Sequence, residues 1–142
     1  CDIRICSPEA QFGLPEITLG FFPGAGGAQR LVRTLPQSLA MEILLVGSRL
    51  DAEKAERFGL VSRVMPSGIL MSEGLSIANK IASNAPLAVR AVKEISKCSK
   101  DQSLEESLRY GNALRWAIGQ TEDAKEGPRA FSEKRPPIFK GA

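Results

Sequence analysis

A single carboxylate, Glu16, stands alone between Ala10 and Met41, a stretch that contains no other acidic residue. Its neighbours in the sequence are mostly apolar: Phe12, Leu14, Pro15, Ile17, Leu19, Phe21 and Phe22. Apolar surroundings disfavour the charged form of a carboxyl group, which suits a group that must both take and give a proton near neutral pH. A solvated acid in a turn would show the same pattern, so both interpretations stay open on these residues alone.

A glycine-rich turn, 23–27, follows Glu16 and leads into a helical pattern. Glycine lets other atoms approach the main chain closely, so this turn can present backbone N–H groups to a ligand. The turn lacks the spacing and the lysine of a phosphate-binding P-loop. It also fails to complete G-x-G-x-x-G, because Gln29 occupies the place of the third glycine. The sequence therefore does not predict a nucleotide site of either kind.

Composition restricts the other groups that could do chemistry. The chain has no histidine, and its three cysteines, Cys1, Cys6 and Cys98, form no C-x-x-C pair. Ser-His-Asp and Cys-His catalysis are therefore excluded, and we expect no metal site. Proton transfer must rest on carboxylates, lysines or the one tyrosine, Tyr110.

Charge and hydropathy limit the partners. The formal net charge of +3 comes from scattered lysines and arginines, which does not indicate a nucleic-acid partner. No apolar run is long enough to span a membrane, so we expect no membrane partner. The simplest interpretation of the cysteines is a reduced, intracellular protein.

Short strands and many helices must position these groups. Strand patterns cover Cys1–Cys6, 11–13 and 60–65, whereas the chain after residue 25 is mostly helical. Capping residues and glycines predict where helices begin and end: Gly47, Asp51, Gly59, Ser103 and Thr121. Pro86 suits the first turn of another helix.

Four motifs together resemble a known family. They are Cys1-Asp2-Ile3-Arg4, the run 12–16 (FGLPE), the run 23–31 (PGAGGAQRL) and the closing run 131–137 (FSEKRPP). In this order and spacing, the chain resembles the C-terminal portion of the enoyl-CoA hydratase/isomerase (crotonase) family. It looks most similar to the short-chain and methylglutaconyl-type hydratases.

The resemblance implies an α/β fold. Residues 1–66 would form the C-terminal part of a crotonase-type β/α spiral core that carries the Glu16 loop. Residues 67–142 would form a helical trimerisation region and a basic tail, giving a homotrimer or a dimer of trimers (a hexamer).

The resemblance also implies roles for single residues. Glu16 would move the proton at the α-carbon of an acyl-CoA thioester, and the Gly24 amide would help to hold the water. Pro15 and Leu19 would line the acyl pocket, and Lys134 would border the nucleotide end of coenzyme A. We expect no cofactor, since coenzyme A is part of the substrate.

The expected activity is that of a lyase in fatty acid metabolism, the syn hydration of a 2-enoyl-CoA. In the family, the oxyanion donors and a first glutamate lie N-terminal to the position of Cys1. We therefore expect these 142 residues to be an inactive fragment of a longer enzyme. The alternatives are an enoyl-CoA isomerase, or a non-catalytic or RNA-binding member of the same fold. The mitochondrial matrix or the bacterial cytoplasm is the expected location.

Overall fold

The computed structural model describes all residues, 1–142. The chain forms two compact units, Cys1–Leu75 and Ser76–Ala142.

The first unit contains all the strands, and each strand is two residues long. They are β1 (Ile5–Cys6), β2 (Gln11–Phe12), β3 (Leu50–Asp51) and β4 (Arg63–Val64). Its helices are a 3₁₀ helix (Pro15–Leu19), α1 (Gly27–Leu31), α2 (Gln37–Val46) and α3 (Ala52–Arg57). The remaining helices are α4 (Ser67–Ala82), within which the two units divide, α5 (Pro86–Cys98), α6 (Leu104–Gly119) and α7 (Glu122–Ser132).

The strands pair into two separate two-stranded sheets. β1 pairs with β4 in parallel, with Ile5 opposite Arg63. β2 pairs with β3 in antiparallel fashion, with Phe12 opposite Leu50. The three predicted strands are therefore present but shorter than predicted, and β3 is an addition to the prediction.

The predicted helix boundaries are confirmed where a local cap sets them. The Asp51 side chain accepts a hydrogen bond from the Lys54 N–H at 2.8 Å, and this caps α3. Ser103 and Glu106 form a reciprocal capping box at the start of α6. Gly47 ends α2 with φ of 75°, a backbone conformation that glycine adopts without steric cost.

The apolar core of the first unit lies where α2 and α3 meet the strands. Its buried members are small or aliphatic: Cys6, Leu35, Ala40, Ile43, Leu50, Ala52, Ala55 and Val61. Alanines at 40, 52 and 55 allow these elements to approach closely. Burial also raises the pKa of the Cys6 thiol, as expected for a thiol that packs as a small apolar group.

The second unit buries polar groups along α7. Asp123 and Glu126 are buried, as is Ala130. The Glu126 carboxylate accepts hydrogen bonds from Arg135 at 2.6 and 3.0 Å and from the Ile138 N–H at 3.0 Å. Arg135 and further donors hold the pKa of Glu126 well below its usual range. The C-terminal tail is thus bound to α7 by charged hydrogen bonds more than by apolar burial.

No helix in the structure combines the length and apolar character that crossing a membrane requires.

Candidate active site

Glu16 lies in the 3₁₀ helix, at its second residue. Pro15 occupies the first position, where its fixed φ suits a helix start. Gly20 ends the helix with φ of 75°, and the Phe21 N–H donates to the Glu16 carbonyl oxygen at 2.9 Å. The Thr18 hydroxyl donates to the Pro15 carbonyl oxygen at 2.8 Å. Glu16 therefore projects from one short, internally bonded turn.

The Glu16 side chain has a buried oxygen with no hydrogen-bond partner. Its Oε2 atom is inaccessible to solvent and unpaired, although the residue as a whole is half-buried. Leaving a buried carboxylate oxygen unpaired is costly, so proteins rarely retain such an atom without a use for it. The position is suited to a group that exchanges a proton with a bound ligand.

The apolar residues that surround Glu16 in the sequence differ in their burial. Leu14 is half-buried beside it in sequence, but Leu19, Phe21 and Phe22 are 70%, 69% and 69% exposed. Three of the apolar neighbours of Glu16 in the sequence therefore lie at the surface of the chain.

The glycine turn lies against the segment that leads to Glu16. A Cβ atom on Gly27 would sit 3.3 Å from the Leu14 methyl groups, so the absence of a side chain permits this contact. Ala25 and Gly26 both have positive φ, of 52° and 78°. Arg30 reaches back over the turn and donates to the Ala25 carbonyl oxygen. The turn is thus fixed by its own helix, α1.

Gly24, the predicted water-holding residue, is exposed, and a Cβ placed on it would meet no atom within 4 Å. Its surroundings are open to a ligand. Pro15 and Leu19 are also exposed, so all the predicted site residues of the first unit except Glu16 face the surface.

A cleft of about 260 Å³ lies next to this region in the first unit. Its lining is mainly apolar with two arginines: Arg4, Phe12, Gly13, Leu14, Gly27, Arg30, Leu31, Thr34, Ile43 and Leu60. Both guanidinium groups donate to backbone carbonyl oxygens, Arg4 to Leu60 and Arg30 to Ala25. Leu14 and Gly27 line the cleft, whereas Glu16 and Gly24 do not.

Lys134, the predicted contact to coenzyme A, belongs to the second unit. It is an exposed, non-glycine residue with φ of 54°, and its N–H donates to the Phe131 carbonyl oxygen at 3.2 Å. The neighbouring Arg135 pairs with Glu126 and Glu133. The two residues of this basic pair therefore differ, since one is bound to α7 and the other extends into solvent.

Sequence reasoning missed the two acids that hold the tail. Asp123 and Glu126 are three residues apart in α7, on the same face of the helix. The available signal was this spacing together with a tail that begins with Lys134 and Arg135.

Comparison with known proteins identifies the family. The whole chain, residues 1–142, matches the family model for enoyl-CoA hydratase/isomerase. The chain therefore belongs to the enoyl-CoA hydratase/isomerase family, and its α/β crotonase fold is shared with solved structures. It superposes on an enoyl-CoA hydratase from Bacillus anthracis with a TM-score of 0.96 and 41% identity, covering 100% of this chain and 55% of that one.

Two relatives of similar sequence are named as hydratases. The chain is 45% identical to the (E)-benzylidenesuccinyl-CoA hydratase of Thauera aromatica, over 100% of this chain and 56% of the relative. It is also 45% identical to the "Probable enoyl-CoA hydratase, mitochondrial" of Dictyostelium discoideum, over 98% of this chain and 50% of the relative. The chain thus spans about half the length of these relatives. The predicted placement in the C-terminal portion of the family is not confirmed by these matches.

Proposed function

We propose that Glu16 is the proton-transferring carboxylate of an enoyl-CoA hydratase, and that this chain is part of that enzyme. The observation that supports this most directly is the buried, unpaired Oε2 atom of Glu16. The hydratase names of the relatives favour hydration over isomerisation.

In the proposed reaction, water adds to the double bond of a 2-enoyl-CoA thioester. The oxygen of the water bonds to the β-carbon while one proton of the water passes to a second carboxylate, and protonated Glu16 delivers a proton to the α-carbon. Proton exchange between the two carboxylates then restores their starting forms, so that one H and one OH are added in total. Negative charge grows on the thioester oxygen meanwhile, and backbone N–H donors stabilise it by about 2.7–4 kcal/mol each. No cofactor is needed, because the thioester of coenzyme A itself stabilises the enolate-like state.

Part of the site is proposed to lie outside these 142 residues. The chain spans only 56% of the length of the Thauera relative. We assign the oxyanion donors and a second carboxylate, which holds the water with Glu16 and the Gly24 amide, to the rest of the protein. The same part would cover Leu19, which is 70% exposed here and would then line the acyl pocket with Pro15.

The second unit is proposed to serve the nucleotide end of the substrate and the assembly. The exposed Lys134 side chain would contact a phosphate of coenzyme A as a point charge. The helices of residues 67–142 carry exposed apolar side chains, including Leu104, Leu108 and Trp116. Such side chains support burial in a homotrimer or a dimer of trimers. The proposed role is in fatty acid metabolism, in a bacterial cytoplasm or a mitochondrial matrix, and the word "mitochondrial" in the name of the Dictyostelium relative is compatible with the second location.

The test is Glu16→Gln in the complete protein that contains this chain. Loss of the absorbance of crotonyl-CoA should slow by about 10²–10⁴-fold in kcat, with a much smaller change in KM. Glu42→Gln, an exposed acid on α2, is the matched control and should behave as wild type. A Glu16→Gln enzyme with wild-type kcat would refute the role of Glu16.

The isolated 142-residue chain provides a second test. We expect it to hydrate no measurable crotonyl-CoA, because we assign the donors for the thioester oxygen to the rest of the protein. Robust turnover by the intact chain, verified by mass spectrometry, would contradict the division of the site. Conversion of a 3-enoyl-CoA without hydration would instead assign the isomerase activity.

A further inference from the structure

We propose that Gly47, at the end of α2, is a positioning residue that sets the place of Glu16 through a contact with Thr18. This inference rests on the proposed function of Glu16. It concerns how the chain holds that carboxylate where it can react.

The contact is a close approach of the Gly47 backbone to the side-chain methyl group of Thr18. The 3₁₀ helix packs against α2, and Gly47, which ends α2, lies next to it. A Cβ atom on Gly47 would sit 2.7 Å from Thr18 Cγ2, 3.7 Å from Ile17 Cγ2 and 3.8 Å from Pro15 Cα. These three residues flank Glu16 on both sides. Any side chain at position 47 would therefore displace the turn that carries the carboxylate.

Thr18 is held in the orientation that makes this contact. Its hydroxyl donates to the Pro15 carbonyl oxygen at 2.8 Å, which closes the turn across Glu16. Because threonine is branched at Cβ, fixing the hydroxyl also fixes the methyl group, and that methyl faces Gly47. The hydroxyl holds the turn together while the methyl sets its distance from α2.

Glu16 depends on this contact because its own side chain gives little anchorage. Its Oε2 atom has no hydrogen-bond partner that would hold it in place. The position of the carboxylate must then follow the position of the 3₁₀ helix. A displacement of about 1 Å in a catalytic group can lower a rate by about 10²-fold.

The experiment compares three variants of the complete protein, with crotonyl-CoA as the substrate. Gly47→Ala should lower kcat by about 10–100-fold with little change in KM, since the carboxylate moves but the remaining substrate contacts stay. Adding Thr18→Ser removes the clashing methyl and keeps the hydroxyl. The double variant should recover at least about tenfold in kcat.

Gly59→Ala is the matched control for backbone strain. Gly59 ends α3 with φ of 75°, the same value as Gly47, but a Cβ there would meet no atom within 4 Å. Both alanine variants should lose the stability that the positive φ costs, Gly47→Ala should lose more because of the clash, and only Gly47→Ala should lose kcat. Equal kcat in the two alanine variants, or no recovery with Thr18→Ser, would overturn the proposal.

A measurement without catalysis separates this proposal from the proposed function. In the complete protein, Gly47→Ala should shift the backbone amide resonances of residues 16–20, and adding Thr18→Ser should bring them back toward their original positions. If these shifts occur while Glu16→Gln leaves the activity unchanged, the Gly47–Thr18 contact is supported and the catalytic role of Glu16 is refuted. If Glu16→Gln abolishes activity and the resonances do not move, the positioning role of Gly47 is refuted and the catalytic role of Glu16 is kept.

Discussion

The hold of α7 on the C-terminal tail depends on Asp123. This carboxylate is buried and accepts hydrogen bonds from the Lys140 N–H at 2.7 Å and the Gly141 N–H at 2.8 Å. The tail in turn caps α7, because the Ala142 carbonyl oxygen accepts a hydrogen bond from the Glu122 N–H at 2.7 Å. Tail and helix terminus therefore satisfy each other's backbone groups.

Replacing Asp123 with alanine should release the end of the tail. A hydrogen bond to a charged group contributes about 1.5–3 kcal/mol. Two such bonds are lost, and the freed amide groups regain water, so we expect the free energy of unfolding to fall by about 3 kcal/mol. Asp123→Asn should fall by roughly half of that, because one amide oxygen can still accept one of the two bonds.

The assay is urea unfolding of the 142-residue chain, followed by hydrogen exchange of the tail amides. The amides of Lys140 and Gly141 should lose protection in both variants. Glu122→Gln is the control, because Glu122 shares the first turn of α7 but pairs at the surface with Lys125. It should change stability far less, since exposed ion pairs contribute little. A change below about 0.5 kcal/mol in Asp123→Ala, with the tail still protected, would refute the reasoning.

Two further predictions concern pH and the core. Because Arg135 holds the pKa of Glu126 below its ordinary value of 4.5, the stability that this contributes is fully present above that pH and is lost as the pH falls further. In urea titrations below about pH 4.5, the free energy of unfolding of Glu126→Gln should therefore fall less steeply with decreasing pH than that of the wild type. An equally steep fall in both proteins would contradict this. Leu50→Ala should cost about 2–5 kcal/mol, because Leu50 is 1% exposed in the core. Leu45→Ala, at a side chain 63% exposed, should cost much less, and equal losses in the two would contradict the assignment of the core.

Features set by neighbouring residues could be predicted from the sequence. The Asp51 cap, the Ser103 capping box and the helix end at Gly47 each depend on hydrogen bonds or φ angles within a few residues. The motif around Glu16 likewise placed the chain in its family. By contrast, β3 was missed because two residues, Leu50 and Asp51, become a strand only by pairing with β2 about 40 residues earlier.

The tail shows why a charge pattern alone was insufficient. In the sequence, Lys134 and Arg135 form one basic pair that could be either solvated surface or a ligand contact. The structure separates them, because Arg135 bonds to Glu126 while the Lys134 side chain is exposed. Which of two adjacent charges meets a buried acid depends on the register of the tail along α7. That register is set by contacts up to 18 residues apart.

The same reasoning explains why Glu16 requires support from outside its own motif. A five-residue 3₁₀ helix has few internal hydrogen bonds and cannot hold a carboxylate to within an ångström by itself. The turn can instead be held by α2, which is anchored in the core through its buried Ala40 and Ile43. Gly47, at the end of α2, sets the distance between this helix and the turn through its contact with the Thr18 methyl group. A glycine 31 positions from Glu16 is thus as much a requirement for the geometry of the acid as the residues beside it. This is the kind of requirement that only a three-dimensional contact reveals.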